Sequence, residues 1–486
     1  MPKDRVEVRL ESTDFACEHV QVSQLNGEEA ISKLFAFDLE IVVLTPGELT
    51  LDELAGAEAD LVFAVGGVEL RRVHGMVSGV EDLLDSEPSF RTFRLRLSPR
   101  AFRLTLVETQ EIFLDLSVPD IIKAKLALVG LGDDDVQMRL MATYPARDFV
   151  VQYKETDLAF ISRLTEHLGI SFFFEQHEGK DLLVFTDHAH GFSRIARDEP
   201  VIFRPRGEQC DVFALVEKRR VMPAAFVQQD YNYRTPLLDL TTTYQVPEGF
   251  AGGVVEYCQH PKTPEASQSL AKVRAEERVA ETRYLEGKGD VCAFSAGATF
   301  HLDDHPRLEG GKDFLLVSLT HACTQVVVGF SMNPEVTAYA NEFRATEASR
   351  TYRPSRATKR PRIDGVLTGV IEPNVEGVMG QMAQLDEQGR YTVRFYFDPA
   401  PLGGRPLSTH RVRMIQQHSG PNYGTHMPLK AGTEVLVVFV DGDPDRPLIM
   451  GSVHNPVTPT PVTSRNPSMH RIVTASGIMI EMKDHF

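Results

Sequence analysis

The stretch VLVVFVDGDPDRPLIMGSVHNP, Val435 to Pro456, places two apolar runs of strand type on either side of an aspartate-rich centre. Asp441, Asp443 and Asp445 occupy alternate positions, the spacing at which a calcium loop begins, because a hard cation needs several oxygens gathered by one tight bend. Such a loop goes on to place glycine sixth and a bidentate glutamate twelfth; here those places hold Arg446 and Ser452. Gly442 and Pro444 supply ordinary turn chemistry between "VLVVFV" and "LIMGSV". The stretch therefore predicts a β-hairpin and no metal site.

Composition narrows what kind of protein would carry this hairpin. A chain of 486 residues has room for two to four domains with separate cores. Its formal net charge of −17 argues against a nucleic-acid or anionic-membrane binder, since both need clustered basic surface. Five cysteines, Cys17, Cys210, Cys258, Cys292 and Cys323, stand singly, with no C-x-x-C pair to suggest a zinc site and no even framework to suggest disulfides. The N-terminus MPKDRVEVRLESTDF lacks the apolar core of a signal peptide, and no apolar run approaches the roughly 20 residues of a membrane-spanning helix.

Most of the chain reads as short strands. FAFDLEIVV (Phe35 to Val43), FRTFRLRLSP (Phe90 to Pro99), KDFLLVSLTH (Lys312 to His321) and GRYTVRFYFDP (Gly389 to Pro399) combine alternation with β-branched and aromatic residues. Three helices are expected. In ETDLAFISRLTEHLG, Thr156 caps, Leu158, Ile161, Leu164 and Leu168 share a face, and Gly169 closes in a left-handed turn. A charged helix is expected over Ser269 to Gly287, and a shorter one in SVPDIIKAKLALVG with Pro119 in its first turn. The segment TYRPSRATKRPR, Thr351 to Arg362, has two prolines, five basic residues and almost no apolar content, and reads as an extended linker, solvated or in contact with an acidic neighbour. Gly365 to Asn455 follows as a strand-and-turn region of the size of a small closed barrel.

Five strings in order, YKETDLAFISRLTEHLGISFFFE near residue 153, DYNYRTP at Asp230, YRPSRATKRPRIDGVLTGVI at Tyr352, DEQGRYTVRFYFD at Asp386 and GTEVLVVFVDGDPDRPLIMGSVHNP at Gly432, resemble the VgrG family, the trimeric spike proteins of bacterial type VI secretion. That family is similar in turn to the hub and spike of contractile phage tails. The resemblance implies a mainly β fold with a minor α/β part: a first hub β-barrel over 1–110, an inserted α/β domain over 111–195 with its helix at 156–168, a second hub β-barrel over 196–350, a basic linker over 351–364, an OB-type barrel over 365–455, and a neck and start of a triple-stranded β-helix needle over 456–486. Its most specific motif positions here are Gly432, Gly442, Asp443, Pro444, Asp445, Arg446, Pro447, Gly451 and Asn455, expected to be structural. Two departures stand out. His418 and Tyr423 occupy the places of two family tryptophans, and the needle barely begins in TASGIMIEMKDHF before Phe486.

On this resemblance the protein is expected to form a homotrimer that docks on the hexameric tube protein Hcp and on the baseplate, with a PAAR-type tip protein and effectors carried through the needle. It would be cytoplasmic before firing, then translocated, meeting the target membrane mechanically. No nucleic acid, cofactor or metal is implied. A phage or prophage tail spike is the alternative, and a carbohydrate-binding or cell-wall hydrolytic protein a more distant one. His177 in QHEGKD, and His301, Asp303, Asp304 and His305 in HLDDHP, lack the spacing of a ligand set or catalytic dyad. No G-x-S-x-G, H-E-x-x-H or phosphate-loop motif occurs, so the protein is not expected to be an enzyme. Between 1–110 and 196–350 there is no convincing sequence repeat, although a trimer docking on a hexamer calls for two similar surfaces per chain.

Overall fold

A computed structural model of the chain describes residues 6–44, 49–84, 90–177, 179–197, 199–204, 211–257, 259–308, 310–328, 337–372, 385–398 and 409–485. The fold is mainly β, and its residues divide into two compact units: Met1–Val107, Ile122–Tyr144 and Asp157–Lys359 in the first; Glu108–Ile121, Pro145–Thr156 and Arg360–Phe486 in the second. The second unit thus takes in two segments that fall largely within the expected 111–195 domain. Among the described residues no helix is long and apolar enough to cross a membrane. Cys17, Cys292 and Cys323 are free thiols; Cys210 and Cys258 lie outside the described residues.

Period-two alternation sets the faces of the first unit's strands. In Arg91–Ser98, Phe93, Leu95 and Leu97 are buried while Arg94 and Arg96 face out. Six strands pair antiparallel in the order Val6–Glu11, Glu58–Val65, Val68–Asp82, Arg91–Ser98, Ala36–Val43, Val20–Ala30. The first and last of these meet through a side chain. The amide of Gln325 donates to the carbonyls of Val8 and Val22, both at 2.7 Å, and accepts from the Val8 N–H at 3.1 Å, standing in for a backbone ladder.

The strand Lys312–Thr324 belongs to two barrels at once. Its C-terminal half pairs with Val20–Ala30 and its N-terminal half with Ala298–Asp303. The second barrel runs Val212–Arg219, Arg283–Gly289, Ala340–Glu347, Lys312–Thr324, Ala298–Asp303, Val201–Ile202, and closes where Phe203 bridges Val212. When each barrel's six strands are ranked by their order along the chain, both rings read first, fourth, fifth, sixth, third, second. They differ in one direction: the first strand of the second barrel, only two residues long, runs parallel to its neighbours. The second barrel is filled by Phe294, Phe300, Phe314, Leu316, Phe343 and their neighbours.

The expected helix at 156–168 is formed by Asp157–Leu168, with Phe160, Ile161 and Leu164 buried; Gly169 follows at φ 70°, and the Ile170 N–H returns to the Thr165 carbonyl. Its successor Ser171–His177 pairs with Lys180–Thr186, which pairs parallel with Val136–Arg139. The shorter helix spans Val118–Leu128. The charged helix is displaced from its expected span Ser269 to Gly287. It runs Pro264–Thr282, because Thr263 accepts from the Ala266 N–H, Pro264 fits the first turn, and Arg283–Gly289 is drawn into the second barrel as a strand.

In the second unit, the strands Val393–Phe395, Leu367–Ile371, Glu434–Phe439 and Pro447–Ser452 form a sheet, extended by bridges from Tyr391 to Val412 and from Met414 to Ile449. Its core joins Ile371, Tyr391, Val393, Phe395, Val435, Val437 and Ile449 to Ile112, Phe149 and Val151. The last three come from or adjoin the paired strands Glu108–Phe113 and Val150–Thr156, so the core of this region is built from two distant stretches of chain. Residues 373–384 and 399–408 of the expected 365–455 barrel lie outside the described residues. Near the end, Met469–Val473 and Met479–Lys483 form a hairpin with Ile472, Ile478, Ile480 and Met482 exposed.

Candidate functional site

The aspartate hairpin turns between Glu434–Phe439 and Pro447–Ser452. Asp441 and Gly442 both take left-handed backbone, at φ 55° and 70°, a conformation that aspartate tolerates and glycine adopts freely. The turn is tied by the N–H groups of Val440, Asp443 and Arg446, which donate to the carbonyls of Arg446, Val440 and Asp443 respectively. Asp443 and Asp445 are buried. Asp445 Oδ1 accepts from the buried Val151 N–H at 2.7 Å, and the Asp445 N–H donates to Asp443 Oδ1 at 3.1 Å. Asp443 Oδ2 lies 3.3 Å from Arg360, and Asp441, exposed, accepts from Arg362 at 3.0 Å. The Ile363 N–H reaches the Gly442 carbonyl at 2.8 Å.

These oxygens are therefore committed to guanidinium and backbone donors, a chemistry that anchors a hairpin instead of gathering a cation. Among the described residues no group of three or more His, Cys, Asp or Glu could hold a metal ion. Pro447, Gly432 and Gly451 shape the flanking strands, with Gly432 at φ 85° before Glu434–Phe439. Asn455 donates to Glu434 Oε2 at 2.7 Å and accepts from the N–H groups of Val457 and Thr458. Pro444 sits inside the turn. His418 and Tyr423 lie across a small hairpin, ring centres 5.4 Å apart.

The basic segment Thr351 to Arg362 has no regular secondary structure, and it is held by carboxylates along its length. In the first unit Arg353 donates to Glu276 and to the carbonyls of Gly169 and Asp187, Arg356 to Glu256 and Glu277, and Thr358 to Glu166. In the second, Arg360 and Arg362 reach the aspartate hairpin. The sequence offered these arginines solvent or an acidic neighbour without saying which carboxylates; the one signal was their density in an acidic chain.

The histidine clusters do not converge. His177 is exposed beside Glu175 at 3.5 Å, His301 pairs with Asp313 at 2.8 Å, and His305 packs its ring on Phe203. A buried charge network that the sequence did not reveal lies instead in the first unit. Glu29 accepts from Arg71 at 2.6 Å and meets His321 Nε2 at 2.9 Å, while His321 Nδ1 faces the Tyr339 hydroxyl at 2.8 Å. Burial alone would raise the Glu29 carboxyl, but Arg71 and His321 outweigh it and hold it at about 2. Burial lowers His321, which matches a neutral ring donating through Nε2 and accepting at Nδ1.

Residues 28–327 match the phage tail baseplate hub (GPD) family. The chain belongs to this family. It is 32% identical over 461 residues to the type VI secretion system spike protein VgrG5 of Pseudomonas aeruginosa, covering 90% of this chain and 56% of that protein. It is 28% identical to VgrG1c of the same organism, over 90% of this chain and 60% of that one. The chain thus spans little more than half the length of these relatives. Among solved structures it is similar to the E. coli c3393 protein, described as a component of the type VI secretion system with structural similarity to T4 bacteriophage tail proteins gp27 and gp5. That similarity has a TM-score of 0.66 at 22% identity, over 92% of this chain and all of that one, and shows the shared fold. Residues 379–453 also match a domain of unknown function (DUF6484).

Proposed function

We propose that this chain is the hub and spike base of a type VI secretion machine, a mechanical part with no catalytic residue of its own. The observation that carries this reading is the pair of six-stranded barrels with one cyclic strand order, fused through Lys312–Thr324. Three such chains around an axis present six similar barrels, which is what a trimer needs in order to seat on a hexameric ring. The hairpin Met469–Val473/Met479–Lys483 supports a trimer independently, because its exposed isoleucines and methionines would be covered by copies of themselves. In this reading the ring is Hcp and the baseplate holds the hub. The needle carries a PAAR-type tip protein and effectors, and the protein moves from the cytoplasm into the target cell or medium when the machine fires. The motif from Gly432 to Asn455 serves to anchor the barrel hairpin.

The test is stoichiometry. The full chain, trimerised by a C-terminal coiled coil, is mixed with hexameric tube protein and weighed by native mass spectrometry. Three chains per ring is the expected result. One chain per tube subunit, or binding by residues 365–455 alone, overturns the proposal.

A further inference from the structure

The inner face of the second barrel changes chemistry towards one end. Along each strand alternate residues face inward, so the face that carries Leu215 continues to Glu217, that of Leu285 to Arg283, that of Phe343 and Ala345 to Glu347, and that of Leu316 and Phe314 to Lys312. The charges stand at the barrel mouth, where Glu217 is exposed and Arg283, Lys312 and Glu347 are half-buried, so a partial loss of hydration has to be offset by pairing. Pairing accounts for most of them. Glu347 accepts from Lys312 at 2.7 Å, Arg350 at 3.1 Å and Arg283 at 3.2 Å, while Glu248 lies 2.9 Å from Arg350 and Glu217 3.8 Å from Arg283.

The cluster does not close the barrel. It rims a cavity of about 390 Å³ whose wall includes Leu215, Leu285 and Leu308, all half-buried, above the buried Phe314. Arg307 stands on the same rim, exposed, with no ion-pair partner among the described residues. Among the described residues, counting Arg307 with Arg283, Lys312 and Arg350 gives four cations against Glu217, Glu248 and Glu347, a local positive excess in a chain of net charge −17. An apolar floor under an incompletely neutralised basic rim, at the mouth of a barrel, fits a ligand with an anionic group directly attached to a short apolar body. Depth limits its size. Phe294, Phe300 and Phe343 fill the barrel below, so a long acyl chain has nowhere to extend.

We propose that this end of the second barrel is a docking pocket for the C-terminal residue of a partner protein, its free carboxylate on Arg307 and Lys312 and its apolar last side chain against Leu215, Leu285 and Leu308. Such carboxylate capture is a recurring peptide-recognition mode.

Fluorescence anisotropy of the full chain with fluorescein-labelled Ala-Ala-Ala-Ala-Leu tests it, against the same peptide as its C-terminal amide and against a peptide ending in glycine. The free acid is expected to bind about tenfold tighter than either control, because each control loses the charge-assisted contact or the apolar one. Arg307→Gln, at an exposed site, should weaken the free acid by about tenfold with an unchanged melting temperature, and Leu308→Ala should weaken it by several-fold. Equal binding of acid and amide, unchanged binding by Arg307→Gln, or no saturable binding below about 1 mM overturns the proposal. Octanoate displacing the peptide at similar concentration would also overturn it, in favour of a fatty-acid site.

Discussion

Replacing Gln325 with alanine tests whether one side chain closes the first barrel. The substitution removes the bonds at 2.7, 2.7 and 3.1 Å that join Val6–Glu11 to Val20–Ala30. Val8 and Val22 are 2% and 3% exposed, so their freed backbone groups are poorly placed to find water. A hydrogen bond contributes about 1 kcal/mol net, and a buried polar group left unpaired costs about 1–3 kcal/mol. Gln325 is itself half-buried, and water entering its place recovers part of that loss, leaving an expected cost of about 2–3 kcal/mol. Gln325→Glu should cost at least as much, since it keeps the shape but turns a carboxylate oxygen on two carbonyls. The lost closure is local to one strand pair, so a global unfolding midpoint would dilute it. Hydrogen exchange read by mass spectrometry on the peptide covering Val6–Glu11 reports the local opening. At tenfold per 1.4 kcal/mol, its protection should fall by roughly 30- to 150-fold, with Glu434–Phe439 unchanged. Protection within about threefold of the parent would refute the reasoning and place the closure elsewhere.

Asp445→Ala strands the buried Val151 N–H and should destabilise the second unit by about 1–3 kcal/mol, whereas Asp441→Ala, at an exposed ion pair, should stay within about 0.5 kcal/mol, both read from urea unfolding. Calcium at millimolar concentration should leave the melting temperature of the parent unchanged, since these oxygens already have partners; a shift abolished by changing Asp441 and Asp443 would overturn the assignment of a plain turn. Glu29, held at about 2 against an ordinary 4.5, contributes stability that is present above pH 4.5 and lost as pH falls from there towards 2. Glu29→Gln should flatten that acid limb in thermal melts from pH 5 to 2.5. Gly287→Ala would drive a methyl into the Phe343 ring inside the second barrel, and should cost about 1–3 kcal/mol by the same urea assay.

The mainly β class, the helix at Asp157–Leu168 and the hairpin around Gly442 were legible from the sequence because each is written in local periods: alternation for strands, the 3.6-residue repeat with a closing glycine for the helix, turn residues for the hairpin. The same local information misplaced the charged helix. Helix-forming residues continue from the helix through Arg283, Leu285 and Glu286, and only pairing with Val212–Arg219 and Ala340–Glu347 makes Arg283–Gly289 a strand. Family membership was likewise carried by short ordered strings. What no local pattern contains is which strand pairs with which. Alternation specifies an inward and an outward face and is indifferent to the neighbour, so two barrels of one cyclic order can share no recognisable sequence. The partners of the three aspartates were hidden for the same reason. Val151 lies 294 residues from Asp445, and Arg360 and Arg362 read as solvated or in contact with an unspecified acidic neighbour until the folded chain set them beside the turn. The types of element followed from the sequence by itself. The closure of the first barrel by Gln325, the strand shared by two barrels, and the anchoring of the aspartate turn on Val151, Arg360 and Arg362 were decided only in three dimensions, because each depends on groups brought together from distant parts of the chain.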